Sequence, residues 1–196
     1  MAKNNRYIPE IYEIDNIRQE IAEFPPYYKR NFTDRYCVQF NKTGFYIDTR
    51  ISLYSNKICL LFLAKGHSII QNHKSITKID FQVGKENRLT NIVSGKHKKD
   101  AQRLQKNSVI CFIETTDGMK YPFCSGIKGK LVDVNRTIGK DSSKIVEGFD
   151  TIGYIAMVFP DNFRDPPEDI LNGFLTRQQY EDELSKREQE QSPIQL

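Results

Sequence analysis

The sequence predicts a mainly β protein carrying a peripheral helix at each end, and three observations lead there. From Asp34 onward, short runs rich in β-branched and aromatic residues alternate with glycine, asparagine and serine turns. Ahead of them, Ile11, Ile14, Ile17, Ile21 and Phe24 recur at spacings of 3, 3, 4 and 3, the period of one helix face. Behind them, Thr176 and Gln179 form a capping box that opens a polar, helix-favouring stretch. The expected organisation of the 196 residues is an N-terminal extension over 1–33, a β-rich core over 34–160, and a C-terminal linker and helix over 161–196.

The first helix has its own punctuation. Pro9 suits the first helical position, and Pro25 and Pro26 end the helix because each lacks an amide donor. Its other face carries Glu13, Asp15, Arg18, Glu20 and Glu23. A helix of this length is marginal alone, so the isoleucine stripe must dock, on its own domain or on a partner.

Strands are expected over residues 36–40, 45–54, 58–63, 76–83, 109–114, 130–134 and 154–159. Lys42-Thr43-Gly44, Ser55-Asn56, Gly66, Gly84 and Asp117-Gly118 separate them. Asp117-Gly118 is the strongest hairpin signal and predicts a primed turn with positive φ at both residues. Short strands with glycine turns fit a small sandwich or barrel. Residues 161–168, with Pro166-Pro167, are expected to run extended over the surface. In the final helix Leu175 can staple onto Tyr180, and Leu184 continues the stripe. Glu181, Asp182 and Glu183 near its start and Lys186 and Arg187 nearer its end would suit the helix dipole.

Composition excludes several function classes. The longest apolar run, residues 58–64, is seven residues, far short of the ~20 that span a bilayer. Residues 1–11 are polar, so no signal peptide is expected, and the three Asn-X-Thr triplets carry no glycosylation meaning without a secretory address. Cys37, Cys59, Cys111 and Cys124 lack metal-ligand spacing and read as small buried hydrophobes in a reducing compartment. His67, His73 and His97 have no matching third ligand, so no metal is expected. Neither Gly126 with Gly129 nor Gly148 with Gly153 leads into the Lys-Ser/Thr of a phosphate loop. No cofactor and no catalytic residue set emerge.

The formal net charge of +4 is unevenly divided. Residues 65–106 carry +7, residues 1–64 carry +2, residues 107–160 are neutral, and residues 161–196 carry −5. Lys96, Lys98, Lys99 and Arg103 stand close together in the basic block, with His97 among them. Such a block attracts an acidic partner. Nucleic acid is disfavoured, because no aromatic residue for base stacking lies between Gly84 and Val109.

An ordered series of short motifs then resembles the Abitram (simiate) family. The series is Ser55-Asn56-Lys57-Ile58-Cys59, Val93-Ser94-Gly95-Lys96 leading to Ala101-Gln102 and Leu104, and Asp117-Gly118. It continues with Gly129-Lys130-Leu131, Val134-Asn135, Gly153-Tyr154-Ile155-Ala156 with Val158 and Pro160, Leu175-Thr176 and Gln179-Tyr180-Glu181. The first 35 residues look unlike that family's short N-terminus, and Asp100 stands where its pattern has glycine. The resemblance implies an intracellular, non-enzymatic protein of nucleus and cytoplasm, linked to actin binding and filament dynamics. That family is similar in turn to the glycine-cleavage H protein and lipoyl carriers, which implies a barrel-sandwich hybrid core. In such carriers a lysine at a hairpin tip holds lipoate. Lys120, near Asp117-Gly118, lacks the carriers' surrounding acidic and Ser-Val context and is expected to be a plain exposed lysine.

Three functional expectations follow. The leading one is a binding module that presents Lys96, Lys98, Lys99 and Arg103 to an acidic protein partner, actin or another cytoskeletal assembly. The second is a structural adaptor of a microtubule-based, ciliary assembly, docked through Ile11, Ile14, Ile17, Ile21 and Phe24. The third is a lipoyl-like carrier using Lys120.

Overall fold

A computed structural model of the chain describes residues 31–96, 98–148 and 152–191. The chain divides into two compact units, Met1–Asn31 and Phe32–Leu196. The isoleucine-striped helix expected over 9–24 lies outside the described residues, as does His97. No helix among the described residues is long and apolar enough to cross a membrane.

The unit that begins at Phe32 is built on strands β1 (Phe32–Cys37), β2 (Thr49–Tyr54) and β3 (Cys59–Leu63). A short helix α1 (Ser68–Gln71) leads to β4 (Ile76–Asp80), the small hairpin β5 (Gln82–Val83) and β6 (Glu86–Asn87), and a 3₁₀ turn at Arg88–Thr90. Then come β7 (Arg103–Leu104), β8 (Val109–Thr115), β9 (Lys120–Cys124) and β10 (Gly129–Val134). Helices α2 (Arg136–Lys140) and α3 (Lys144–Glu147) precede β11 (Ala156–Pro160), and α4 (Pro167–Ile170) and α5 (Arg177–Gln191) close the fold.

The expected mainly β architecture is present. An antiparallel six-stranded sheet has the order β1-β2-β3-β11-β10-β7, and a second sheet has the order β4-β8-β9. The six-stranded sheet is open, with β1 and β7 at its edges, so no barrel closes. One core takes Ile51, Leu53, Leu61, Leu131 and Val158 from the first sheet and Ile79, Ile113, Tyr121 and Phe123 from the second. Strand β3 is apolar throughout, whereas β2 alternates polar and apolar residues and buries both kinds from Thr49 to Leu53, because both strands sit inside the sheet; the end of β8 alternates between buried and half-buried positions.

Several boundaries differ from the expected ones. Strand β1 starts at Phe32 rather than residue 36, because Phe32 pairs with Tyr54 across β2, with ring centroids 4.9 Å apart. The run 76–83 breaks at Phe81, which turns into the core (3% exposed) while Asp80 Oδ1 accepts the Gln82 amide. The Asp117-Gly118 hairpin forms, but its turn is not a primed one. Gly118 donates to Thr115 and Thr115 donates to Met119, and only Gly118 has positive φ (78°). That is a three-residue loop of the type I plus bulge kind. The β2–β3 hairpin repeats the construction with Lys57 at φ 67°, so a lysine fills a position that favours glycine. Residues 161–168 form turns and the start of α4, not an extended strap.

Helix α5 starts as expected: Gln179 donates to Thr176 Oγ1, and the Thr176 amide donates to Gln179 Oε1. It runs on to Gln191, so Glu181–Glu183 fall beyond its first turn and Lys186 and Arg187 before its last, and the expected dipole pairing is absent. Its anchors are Tyr180, stacked on Tyr36 at 4.3 Å, together with Leu175 and Leu184. Tyr36 and Leu175 exchange backbone hydrogen bonds, which cover the β1 edge there.

Candidate functional site

The part of the basic block that carries Lys96, Lys98 and Lys99 forms a finger, described over residues 91–96 and 98–102, between the 3₁₀ turn and β7. Its root is fixed by one buried and two half-buried polar side chains. Arg88, 5% exposed, donates to Glu86 Oε2 at 2.6 Å, Gln102 Oε1 at 2.7 Å and the Val109 carbonyl at 3.0 Å. Gln102 donates in turn to the Asn87 carbonyl. Asn91 donates to the carbonyls of Leu131 and Val132 and accepts the Gln102 amide at 2.9 Å. Val132 is the extra residue of a β-bulge opposite β11, so its carbonyl is released from the ladder and free to serve Asn91.

The tip is equally constrained. Ser94 and Lys99 exchange backbone hydrogen bonds at 2.8 and 3.0 Å, and Lys98 donates to the Gly95 carbonyl. Gly95, Lys98 and Asp100 all have positive φ, at 64°, 50° and 65°. The backbone at Asp100 is left-handed, a conformation that glycine adopts freely and aspartate is among the few other residues to tolerate.

Lys96 and Lys99 are exposed and Lys98 half-buried, and among the described residues none of the three is ion-paired. Arg103 is set apart from them. It opens β7 at the sheet edge and faces Asp161 at 3.8 Å, a carboxylate it shares with Lys128 at 3.7 Å. Two cations on one carboxylate leave positive charge in excess there too. The structure thus brings the three lysines onto one tight turn and leaves Arg103 beside it in sequence with its own acid. Asn91, Arg88 and Gln102, which hold the finger in shape, carry no periodicity or motif chemistry in the sequence; Gln102 alone appears among the family's residues.

Other chemistry-bearing side chains are engaged structurally. Lys120 is not at its hairpin tip: it opens β9 opposite Glu114, with Nζ 2.6 Å from the carboxylate. Lys74 holds Asp117 at 2.7 Å, and that contact leads in lowering the Asp117 pKa to about 2. Asp48, fully buried beneath α5, accepts from Tyr180 at 2.9 Å, Arg187 at 2.7 Å and the Gln39 amide at 3.1 Å. Tyr180 also accepts the Gly66 amide, and burial, then Asp48, pushes its hydroxyl upward. A Cβ at Gly66 would lie 2.6 Å from that hydroxyl, so only glycine fits. All four cysteines are buried; burial raises Cys37 and Cys124 to about 11 and Cys59 to about 12, and it raises Cys111 as well. Such thiols are poor nucleophiles.

Comparison with known proteins places the chain. No protein-family model matches it. The chain is 36% identical over 165 residues to protein Abitram of Danio rerio, covering 82% of this chain and 92% of that protein. It is 37% identical over 162 residues to the Homo sapiens protein, covering 80% and 88%. The Dictyostelium discoideum protein is 31% identical over 152 residues, covering 70% and 82%. Among solved structures, a glycine cleavage system H protein from Mycobacterium marinum matches with a TM-score of 0.50, covering 78% of this chain and 97% of that one. At 11% identity that likeness concerns the fold alone. Similarity at this level, across most of both partners' length, shows that the chain belongs to the Abitram family.

Proposed function

We propose that this protein is a non-enzymatic binding module that docks its cationic finger on an acidic protein surface, that of actin filaments or a related cytoskeletal assembly, in cytoplasm and nucleus. The observation that carries this reading is a hydrogen-bonded turn bearing Lys96, Lys98 and Lys99 with no ion pair among the described residues. Fixed, unneutralised charge steers encounter and sets orientation more than it adds affinity. A loop locked at root and tip also loses little freedom on binding. The actin partner is what the family resemblance implies. The non-enzymatic reading is supported by how Asp48, Arg88, Tyr180 and Arg187 are used, since each has structural hydrogen bonds.

Filament co-sedimentation tests it. Changing Lys96, Lys98, Lys99 and Arg103 to Glu should weaken pelleting at least about tenfold while the protein stays folded, and raising salt should weaken wild-type pelleting. Undiminished pelleting of the folded variant removes the mechanism.

A further inference from the structure

The finger does not stand on a purely polar surface. Six large apolar side chains are exposed among the described residues, and two of them, Leu89 (37% exposed) and Ile92 (70%), sit at its root. Leu89 also forms part of the wall of a cleft of about 370 Å³. Ile79 and Phe81 reach this cleft from the core, and Arg136 and Gly139 of α2 line it as well. Arg136 donates to the Leu89 carbonyl at 3.0 Å, which ties the 3₁₀ turn to α2 and holds the cleft in shape. Asp80 is the one carboxylate of the lining, and its Oδ1 accepts the Gln82 amide.

The occupant can be read from charge and reach. From Asn91 at the root to Gly95 at the tip is four residues, at most about 13 Å of extended chain. A single short segment can therefore meet the cleft and the lysines together. Carboxylates suit Lys96, Lys98 and Lys99, and one large apolar side chain suits the space between Leu89 and Phe81. We propose that the finger and this cleft form one docking surface for a short acidic protein segment carrying a hydrophobic anchor. Acidic residues engage the tip, and the anchor enters the cleft beside Leu89. This rests on the cationic-finger reading and names the chemistry of its partner segment.

Gly139 provides a clean test. A Cβ built there meets only the Phe81 ring, at 4.0 Å, and its backbone is helical, so Gly139→Leu fills the cleft without disturbing the core. The probes are fluorescent twelve-residue peptides with an Asp-Asp-Glu triplet and one Phe placed two to five residues away, each paired with its Phe→Ala twin. At least one Phe peptide should bind about tenfold more tightly than its twin, the scale of burying most of one large side chain. In the Gly139→Leu protein that advantage should vanish, while the twin's weak, salt-sensitive binding persists. In the full protein with Lys96, Lys98 and Lys99 changed to Glu, both peptides should lose binding. Amide shifts at Leu89, Ile92 and Gly139 on titration locate the anchor.

Equal binding of Phe and Ala peptides, with loss in the lysine variant, overturns the anchor and leaves the charge reading standing. A tenfold advantage that survives Gly139→Leu overturns the cleft. Failure of every peptide to bind while filaments still pellet the wild type also overturns this inference. Failure of the lysine variant to change filament pelleting overturns the reading beneath it.

Discussion

Asp48, beneath α5, and His67, the N-cap of α1, are both fully buried, and they solve the problem of burial in opposite ways. The carboxylate is met by a guanidinium at 2.7 Å, a phenol at 2.9 Å and a backbone amide at 3.1 Å. The imidazole has no counter-ion among the described residues. Its Nδ1 accepts the Ile69 amide as the cap of α1, and burial pushes its pKa down to about 3. In the unfolded chain the same group takes a proton below about 6.5. The unfolded state therefore binds more protons between these values, and stability is lost as the pH falls through that window. From pH 6.5 to pH 5 the loss attributable to His67 is about 2 kcal/mol, at ~1.4 kcal/mol per pH unit. Asn at this position retains a cap acceptor. Denaturant melts of His67→Asn should show a pH slope shallower by that amount than wild type, and parallel slopes would reject the assignment.

At the scale of elements, what the sequence displays is what depends on neighbours along the chain. The capping box of α5, the turn glycines Gly44 and Gly118, and the β-rich runs are local chemistry, and they stand where periodicity and turn propensity put them. The left-handed residues of the finger and of the β2–β3 hairpin were not legible, because Lys57 and Lys98 adopt positive φ under the pull of hydrogen bonds formed on either side of them. Arg187 was hidden in its role rather than in its place. It stands three residues past Leu184, on the stripe of Tyr180 and Leu184, but nothing in the sequence names Asp48 as its acceptor or Tyr46 as the ring it stacks on at 3.8 Å. The lysines of the finger were visible as charge, but the Asn91 and Arg88 supports were not. Removing one such support has a defined cost. Asn91→Ala leaves the Gln102 amide and the Leu131 and Val132 carbonyls without their side-chain partner, a loss of about 1–3 kcal/mol. Hydrogen exchange should quicken through residues 91–102 more than in β2 or β3. Uniform acceleration across all strands would show that Asn91 supports the whole unit rather than the finger.

For the unit from Phe32 onward taken as a whole, stability and the proposed docking would draw on different side chains, and that separation is testable. Helix α5 is held through Tyr180, Leu184 and Arg187, and the chain just before it covers the β1 edge through Tyr36 and Leu175. Arg187→Ala would strand the Asp48 carboxylate in the interior without its counter-ion, a change that costs about 3–5 kcal/mol. At ~2–4 °C per kcal/mol for a unit of this size, the melting temperature should fall by about 10 °C. Loosening of α5 also exposes an unpaired strand edge, so aggregation on heating should begin earlier. Below the transition, however, the finger keeps its own supports at Asn91, Arg88 and Gln102, and filament pelleting should stay within about twofold of wild type. The lysine-to-glutamate variant of the finger should do the reverse, since exposed charges contribute little to folding: an unchanged melting temperature with binding lost. If Arg187→Ala abolished pelleting well below its melting temperature, α5 would belong to the contact surface, and the partner's footprint would have to extend from the finger to the helix.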